Sequence, residues 1–341
     1  MKRCSNIYSK IYDYENIYRA YLNARKSKRY RSEVLKFTAN LEENLINIQN
    51  ELIWKTYQPK AARQFYVTEP KKRLITAPVF YDRVVHHAIH NIIEPIFDST
   101  FIYHSYACRN GKGTHAAVNY FENSLRSMQK EHNKVYCLKI DVAKYFPNID
   151  HEIIFNLIKR KIKDAKVIWL IKVIIDSSPS NPGLGIGALT SQLFANVYLN
   201  HLDHYVKEVL RIKSYVRYMD DVVILHTDKN YLHEIRKKIE TFLLAELRLK
   251  TNSRTQVIAT NRGITFLGYR IWPTHRLLKG QAKRRIKKKL RLFMRLYSKR
   301  KIQLEEINAS IQSWLGHLKH CDSYGLKESL FKWFVLRRRP E

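Results

Sequence analysis

Cysteine is scarce in this chain, and what there is lies far apart: Cys4, Cys108, Cys137 and Cys321, with no C-x-x-C pair. That excludes a disulfide framework and argues against a zinc site, and it fits a reducing cytoplasm. No apolar run reaches the length of a membrane span. The start, Met1-Lys2-Arg3-Cys4, leads into polar sequence rather than the apolar core of a signal peptide. Internal repeats and low-complexity tracts are also missing. Acids are few, 30 Asp+Glu against 62 Lys+Arg, for a formal net charge of +32 in 341 residues. A charge of that size repels itself unless the partner is a polyanion. With 45% hydrophobic residues the chain has material for a real core, in two or three compact units. Its 22 tyrosines mix with the cations. Phosphates would take the charge and bases would stack on the rings, so nucleic acid is the expected partner. An anionic membrane surface is the rival.

Against this basic background the placement of the acids matters. In Ser214-Tyr215-Val216-Arg217-Tyr218-Met219-Asp220-Asp221-Val222-Val223-Ile224-Leu225, two β-forming runs flank an acid pair, the pattern of a hairpin. Upstream, Val135-Tyr136-Cys137-Leu138-Lys139-Ile140-Asp141 is a β-run that ends in an acid. An acid closing an apolar strand is costly unless it is paired, hydrogen-bonded or metal-bound. Adjacent strands lie about 4.8 Å apart. If the two segments pair, the carboxylates converge on a site able to hold two Mg²⁺ roughly 3.5–4 Å apart.

The remaining segments read as support or as phosphate contacts. Residues 13–53 carry helical apolar stripes, at Tyr14, Ile17, Tyr18, Tyr21 and Leu22, then at Leu41, Leu45, Ile48 and Leu52. Arg25-Lys26-Ser27-Lys28-Arg29-Tyr30-Arg31 separates them, as a solvated linker or a phosphate contact. Lys71-Lys72-Arg73 forms a basic turn between two short strands, suited to a phosphate clamp or to solvent. His86 and His87 are adjacent and point to different faces, so they are read as packing or RNA-facing rather than as metal ligands. Arg109-Asn110-Gly111-Lys112-Gly113-Thr114-His115 lacks Walker A order and suggests a flexible clamp on a nucleic-acid backbone. Asp150 is placed to cap a helix carrying Ile153, Ile154, Leu157 and Ile158.

Taken together these motifs resemble those of reverse transcriptases. Asp141 in Leu138-Lys139-Ile140-Asp141-Val142-Ala143-Lys144-Tyr145-Phe146 matches the family's first catalytic motif, and Tyr218-Met219-Asp220-Asp221 its Y-x-D-D box. Ile186-Gly187-Ala188-Leu189-Thr190-Ser191-Gln192 stands where the family has Q-G-x-x-x-S-P. Phe266-Leu267-Gly268-Tyr269 resembles the F-L-G-x primer grip, and Arg73-Leu74-Ile75-Thr76-Ala77-Pro78 the motif that holds the incoming triphosphate. The motifs occur in family order over roughly residues 55–275. The resemblance implies metal ligation by Asp141, Asp220 and Asp221, with the Val142 carbonyl assisting. It implies nucleotide contacts from Lys72, Arg73, Tyr145, Phe146, Ile186, Gln192 and Arg254, with Phe146 as the gate against a ribose 2′-hydroxyl. It implies a primer grip at Phe266, Leu267 and Gly268, two Mg²⁺ ions with Mn²⁺ as a substitute, and template RNA, a DNA or RNA primer and dNTPs as partners. Ile186 and Ser191-Gln192 depart from the common pattern and resemble the enzymes of diversity-generating retroelements, which make adenine-mutated cDNA. Retron, group II intron and bacterial defence reverse transcriptases are next in similarity. The partner beyond the template is then a small basic accessory protein or a structured non-coding RNA, and the setting a bacterium, phage or prophage.

Residues 274–341 hold 19 Lys+Arg against 5 Asp+Glu. Lys283, Arg284, Arg285, Lys287 and Lys288 surround a stripe of Ile286, Leu290, Phe293 and Leu296, the expected nucleic-acid-binding face of a helical bundle rather than a membrane-surface helix. The chain then stops at Arg337-Arg338-Arg339-Pro340-Glu341, with no endonuclease or RNase H segment expected. The fold expected is α+β: a right-hand polymerase with a ferredoxin-like palm, fingers and a helical thumb. Its parts are a helical extension (1–54), fingers (55–130), palm (131–150 and 184–273), a fingers insertion (151–183) and the thumb (274–341). The reading from another class is a non-catalytic RNA-binding factor, which charge and aromatics would serve equally well; the three acids weigh against it.

Overall fold

The computed structural model describes residues 3–68 and 72–338. Lys71 of the basic turn and Arg339 of the terminal arginine run lie outside the described residues. Four helices open the chain: α1 (Tyr8–Tyr12), α2 (Tyr14–Ala24), α3 (Ser32–Ala39) and α4 (Leu41–Ile53). Ile17, Tyr21, Leu45, Ile48 and Leu52 are fully buried, while Tyr14 and Tyr18 are exposed, so the expected α2 stripe is only partly core. The hairpin of β1 (Arg63–Val67) and β2 (Arg73–Ala77) follows, antiparallel and with mostly exposed side chains. Helix α5 (Phe80–Asp98) is the central strut, burying Val84, Val85, Ala88, Ile89 and Ile93. His86 on it is packing, as expected: it is buried and hydrogen-bonded to Thr190 Oγ1 at 2.6 Å.

The glycine-rich loop before α6 (Thr114–Glu131) corrects the expectation of a flexible clamp. Arg109 pairs with Asp98, and its Nη1 donates to the carbonyls of Ile102 and Ser105 at 2.8 and 2.9 Å. Lys112 Nζ donates to the Tyr103 carbonyl at 3.0 Å and lies 3.3 Å from the centre of the Tyr103 ring. Both cations hold the loop to its own neighbours.

The next elements are β3 (Tyr136–Asp141), α7 (His151–Lys159), α8 (Ala165–Asp176), α9 (Leu189–His204), β4 (Tyr215–Tyr218), β5 (Asp221–His226), α10 (Lys229–Leu247) and β6 (Gln256–Ala259). Asp150 caps α7 as expected, accepting from the amides of Glu152 and Ile153 at 3.0 Å each. The strands form one antiparallel sheet in the order β4-β5-β3-β6. With α9 and α10 as crossovers this is the β-α-β-β-α-β arrangement of a ferredoxin-like sheet. Side chains alternate across it. Leu138, Ile140, Tyr215, Val222 and Ile224 share a core with α9 and α10, whereas Cys137, Val216, Val223 and Leu225 pack with Ala117, Val118 and Phe121 of α6.

A second sheet of β7 (Ile264–Phe266), β8 (Tyr269–Ile271) and β9 (Arg276–Leu278) completes that outer core. Its first hairpin turns through Leu267 and Gly268 at φ of 45° and 93°, the positive pair that a type I′ turn requires. Helices α11 (Gly280–Ser298), α12 (Leu304–Leu318) and α13 (Tyr324–Phe331) close the described chain. The helical bundle expected from residue 274 therefore starts at Gly280. Its core is small: Ile286, Leu290, Phe293, Ile307 and Leu330. Among the described residues no helix is long and apolar enough to cross a membrane.

Candidate active site

The register of the four-stranded sheet sets Asp141 opposite Asp221. Strands β4 and β5 are joined by Met219 and Asp220 alone, with Tyr218 paired to Asp221. Strand alternation places Asp141 on the face of Cys137 and Lys139, and Asp221 on the face of Val223 and Leu225, so both carboxylates leave the sheet on one side. A one-residue slip of β3 would send Asp141 toward the α9 and α10 core. Met219 turns the chain at φ 55°, a conformation that costs a bulky residue about 1–3 kcal/mol and persists only where the surroundings impose it.

The backbone around Asp141 is pinned by the loop before β6. The Asn252 amide donates to the Asp141 carbonyl at 2.9 Å, the Asp141 amide to Thr255 Oγ1 at 3.2 Å, and the Ala143 amide to the Lys250 carbonyl at 2.8 Å. The same loop carries Arg254, whose Nη1 lies 3.8 Å from Asp141 Oδ2. On the other acid, Lys139 Nζ stands 3.7 Å from Asp221 Oδ1 and donates to the Thr265 carbonyl at 2.9 Å. Burial first, then the charges of Asp221 and Asp141, push the Asp220 carboxyl up to about 6, while Arg73 pulls it the other way. Arg73, on the exposed hairpin, thus faces the acids within electrostatic reach.

The hairpin is docked by its backbone. The Thr76 amide donates to the Ile186 carbonyl at 2.8 Å. Gly187 beside it has φ 135°, and a Cβ there would stand 2.8 Å from the Thr76 carbonyl oxygen, so only glycine allows the approach. Lys72 is exposed, its Nζ 4.6 Å from the centre of the Tyr66 ring. Gln192 lies in the first turn of α9 and accepts from Cys108 Sγ at 3.4 Å.

Some expected site residues are turned inward. Tyr145, expected at the nucleotide, is buried and donates its hydroxyl to the Ala195 carbonyl; of the pair only Phe146 keeps exposed surface. Phe266 is fully buried, 5.6 Å from Phe121 between ring centres, which leaves Leu267 and Gly268 as the accessible part of that turn. On α11, Arg284, Arg285, Lys287 and Lys288 are exposed and Lys283 is half-buried. Arg285 and Lys288 border a groove of about 840 Å³ that Trp314 and His317 line from α12. Residues the sequence did not single out are Lys139, Thr255, Asp203 and Arg217. Lys139 and Arg217 carry a signal in the sequence, a cation inside an apolar strand.

Among the described residues no group of three or more His, Cys, Asp or Glu is arranged as a formed metal centre. The donor chemistry nevertheless suits a hard divalent cation: carboxylate oxygens on neighbouring backbone, where burial and then two negative charges raise the proton affinity of the third acid.

A family model described as reverse transcriptase (RNA-dependent DNA polymerase) matches residues 59–271. This chain belongs to the reverse transcriptase family. The matched span takes in Arg73, all three acids and the Phe266–Gly268 turn, and ends ahead of α11. The enzyme is 27% identical over 276 residues to Protein YkfC of Escherichia coli K12, covering 68% of this chain and 72% of that one. It is 26% identical over 277 residues to the group II intron-encoded protein LtrA of Lactococcus lactis subsp. cremoris, covering 74% of this chain but 45% of LtrA. The apo telomerase of Candida tropicalis superposes with a TM-score of 0.50 at 13% identity, over 66% of this chain and 49% of that one. That likeness concerns the fold, the α+β right-hand polymerase.

Proposed function

We propose that this reverse transcriptase extends a DNA or RNA primer by copying template RNA from dNTPs, with Asp141, Asp220, Asp221 and the Val142 carbonyl holding two Mg²⁺ ions, or Mn²⁺ in their place. The observation that carries the reading is the register of Asp141 against Asp221 with Asp220 in the adjoining turn. Magnesium held by these acids would supply the positive charge that makes the 3′-hydroxyl more acidic and offsets the charge of the pyrophosphate. The chain's own groups position the reactants. Lys72 and Arg73 meet the triphosphate from the docked hairpin, and Arg254 stands beside Asp141 on the approach to it. Phe146 leaves no room for a 2′-hydroxyl. Leu267 and Gly268 bear on the primer end, and the α11 cations on the template–primer backbone. In these terms 55–130 with 151–183 are fingers, 131–150 with 184–273 the palm, and 274–341 the thumb. Poly(rA)–oligo(dT) with dTTP and Mg²⁺ is the test. Extension by the unmodified chain and none by Asp220→Ala, Asp221→Ala supports it. Equal extension by both refutes it, and no extension with retained RNA binding leaves the non-catalytic binder as the better reading.

For the biological role we infer low-fidelity cDNA synthesis for a diversity-generating retroelement. Apolar Ile186 cannot donate the hydrogen bond that glutamine would offer the nucleotide, and Gln192 follows Ser191 where the family has proline. Ile186→Gln, sequenced on an adenine-rich template, should lower misincorporation; an unchanged error spectrum sinks the idea. An intron-encoded enzyme is the second reading, favoured by the likeness to LtrA. A near-duplicate template and variable repeat beside the gene, with a small basic accessory gene, supports diversification. Flanking intron sequence supports the second reading, and a structured non-coding RNA without repeats supports defence.

A further inference from the structure

Arg217 is the largest side chain that is fully buried among the described residues. Its Nε and Nη2 donate to the two oxygens of Asp203 at 2.7 and 2.6 Å, and Asp203 is itself fully buried. The remaining terminal nitrogen, Nη1, donates to Asn196 Oδ1 and to the Met219 carbonyl, both at 3.2 Å. Around it, the Tyr215 hydroxyl donates to Asp203 at 2.6 Å and Asn196 Nδ2 to the Ala107 carbonyl at 2.7 Å. The Arg217 backbone is held as well. Its amide donates to the His104 carbonyl, and its carbonyl accepts from the Tyr106 amide, both at 3.0 Å. The guanidinium therefore joins α9 to the turn that carries Asp220, while the Arg217 backbone and Asn196 tie in the 104–107 segment.

We infer that Arg217 is a positioning residue for the catalytic turn, fixing the left-handed Met219 so that Asp220 is presented beside Asp141 and Asp221; this rests on the polymerase reading above. Three observations converge. First, alternation puts Arg217 on the α9 face with Tyr215, behind the sheet from Asp141 and Asp221, so it acts through the backbone and not on substrate. Second, Met219 adopts φ 55° without glycine's freedom, which needs a neighbour to impose it, and its carbonyl is a bond partner of Arg217. Third, a buried ion pair gives little stability over a well-packed neutral pair of similar volume, so stability alone does not account for a charge this deep. What the planar fork supplies is direction: four donor contacts to three acceptor groups from one rigid guanidinium, which a lysine ammonium cannot reproduce.

The test uses the full chain as Arg217→Lys and as the charge-free pair Asp203→Asn, Arg217→Met, with two readouts. In primer extension, kcat should fall about tenfold to a hundredfold while the dNTP KM moves by less than about threefold. In hydrogen exchange, amides of the peptide covering Tyr218–Asp221 should open at least about tenfold faster, with those of α5 unchanged. The double variant leaves no unpaired buried charge and should recover thermal stability that Arg217→Lys loses, yet it should keep the slow kcat and the fast-exchanging turn. A stable double variant with wild-type kcat and wild-type exchange would overturn the inference, because a merely structural pair is replaceable by a neutral one. Should the unmodified chain extend no primer, the polymerase reading fails on its own. The exchange data then still decide Arg217: faster turn exchange supports it, unchanged exchange refutes it.

Discussion

At the four-stranded sheet, Arg217 of β4 and Asp203 of α9 are fully buried and bonded to one another, and Asp220 is half-buried with its proton affinity raised first by burial and then by two neighbouring acids. On α11, Arg284, Lys287 and Lys288 stand in solvent around a core of only a few side chains. In the sheet a charge acts through its exact neighbours, because a low-dielectric surrounding makes each displacement costly. On the helix it acts by number, since solvated cations serve a phosphate backbone nearly interchangeably. The family match follows the same division: it spans the sheet and ends ahead of the helices.

The strongest way to break this contrast is to remove charge from each region in turn. Asp220→Ala, Asp221→Ala should lower primer extension on the order of a thousandfold or more while RNA still binds; a residual rate near wild type would show that the acids are not the catalytic groups. Mutating Arg284, Lys287 and Lys288 together to alanine should instead weaken RNA–DNA duplex binding and flatten its salt dependence. The log–log slope should become shallower by about 0.9 for each cation that meets a phosphate. An unchanged slope in a filter-binding titration would remove α11 from the interface.

A smaller effect is expected where the hairpin meets the palm. Gly187→Ala places a Cβ against the Thr76 carbonyl in a backbone conformation that strains alanine by about 1–3 kcal/mol. The dNTP KM should rise several-fold, and a KM equal to wild type would mean that the docked hairpin does not serve the nucleotide.

The smallest concerns a cap. Burial alone would raise the Asp150 carboxyl, but the amides of Ile153 and Glu152 and the Arg248 guanidinium outweigh it and hold the group below the usual carboxylate range. Its contribution is therefore complete above about pH 4 and is lost as pH falls through the lower folded value. Asp150→Ala should cost about 1 kcal/mol at neutral pH. Asp150→Asn, which can still cap, should cost less. Melting curves of wild type and Asp150→Ala should converge in strong acid, and a constant gap would exclude the ionised cap.

Much of the site was legible because its signals are local. A β-run ending in an acid, an acid pair at a hairpin and a cap before an amphipathic stripe each need only a few adjacent residues, and Asp141, Asp220 and Asp150 were readable on that basis. The inward turn of Tyr145, the burial of Phe266 and the tethering of Arg109 and Lys112 were not. The first two depend on partners distant in the chain, Ala195 and Phe121, and the tethering on how the loop folds back onto Asp98 and Tyr103, some ten residues upstream. The glycine-rich, basic composition of the loop at Arg109–His115 is equally compatible with facing RNA or facing its own neighbours.

By itself the sequence determined the excess of positive charge, the strands that carry the acids and the order of the family motifs, because charge balance and two-residue periodicity are written along the chain. Only the tertiary structure decided that Asp141 stands opposite Asp221, that Thr76 reaches Ile186 through Gly187, and that Arg217 grips the turn from behind. Register, close backbone approach and the partner of a buried charge all depend on which distant segments meet, and no local pattern encodes that meeting.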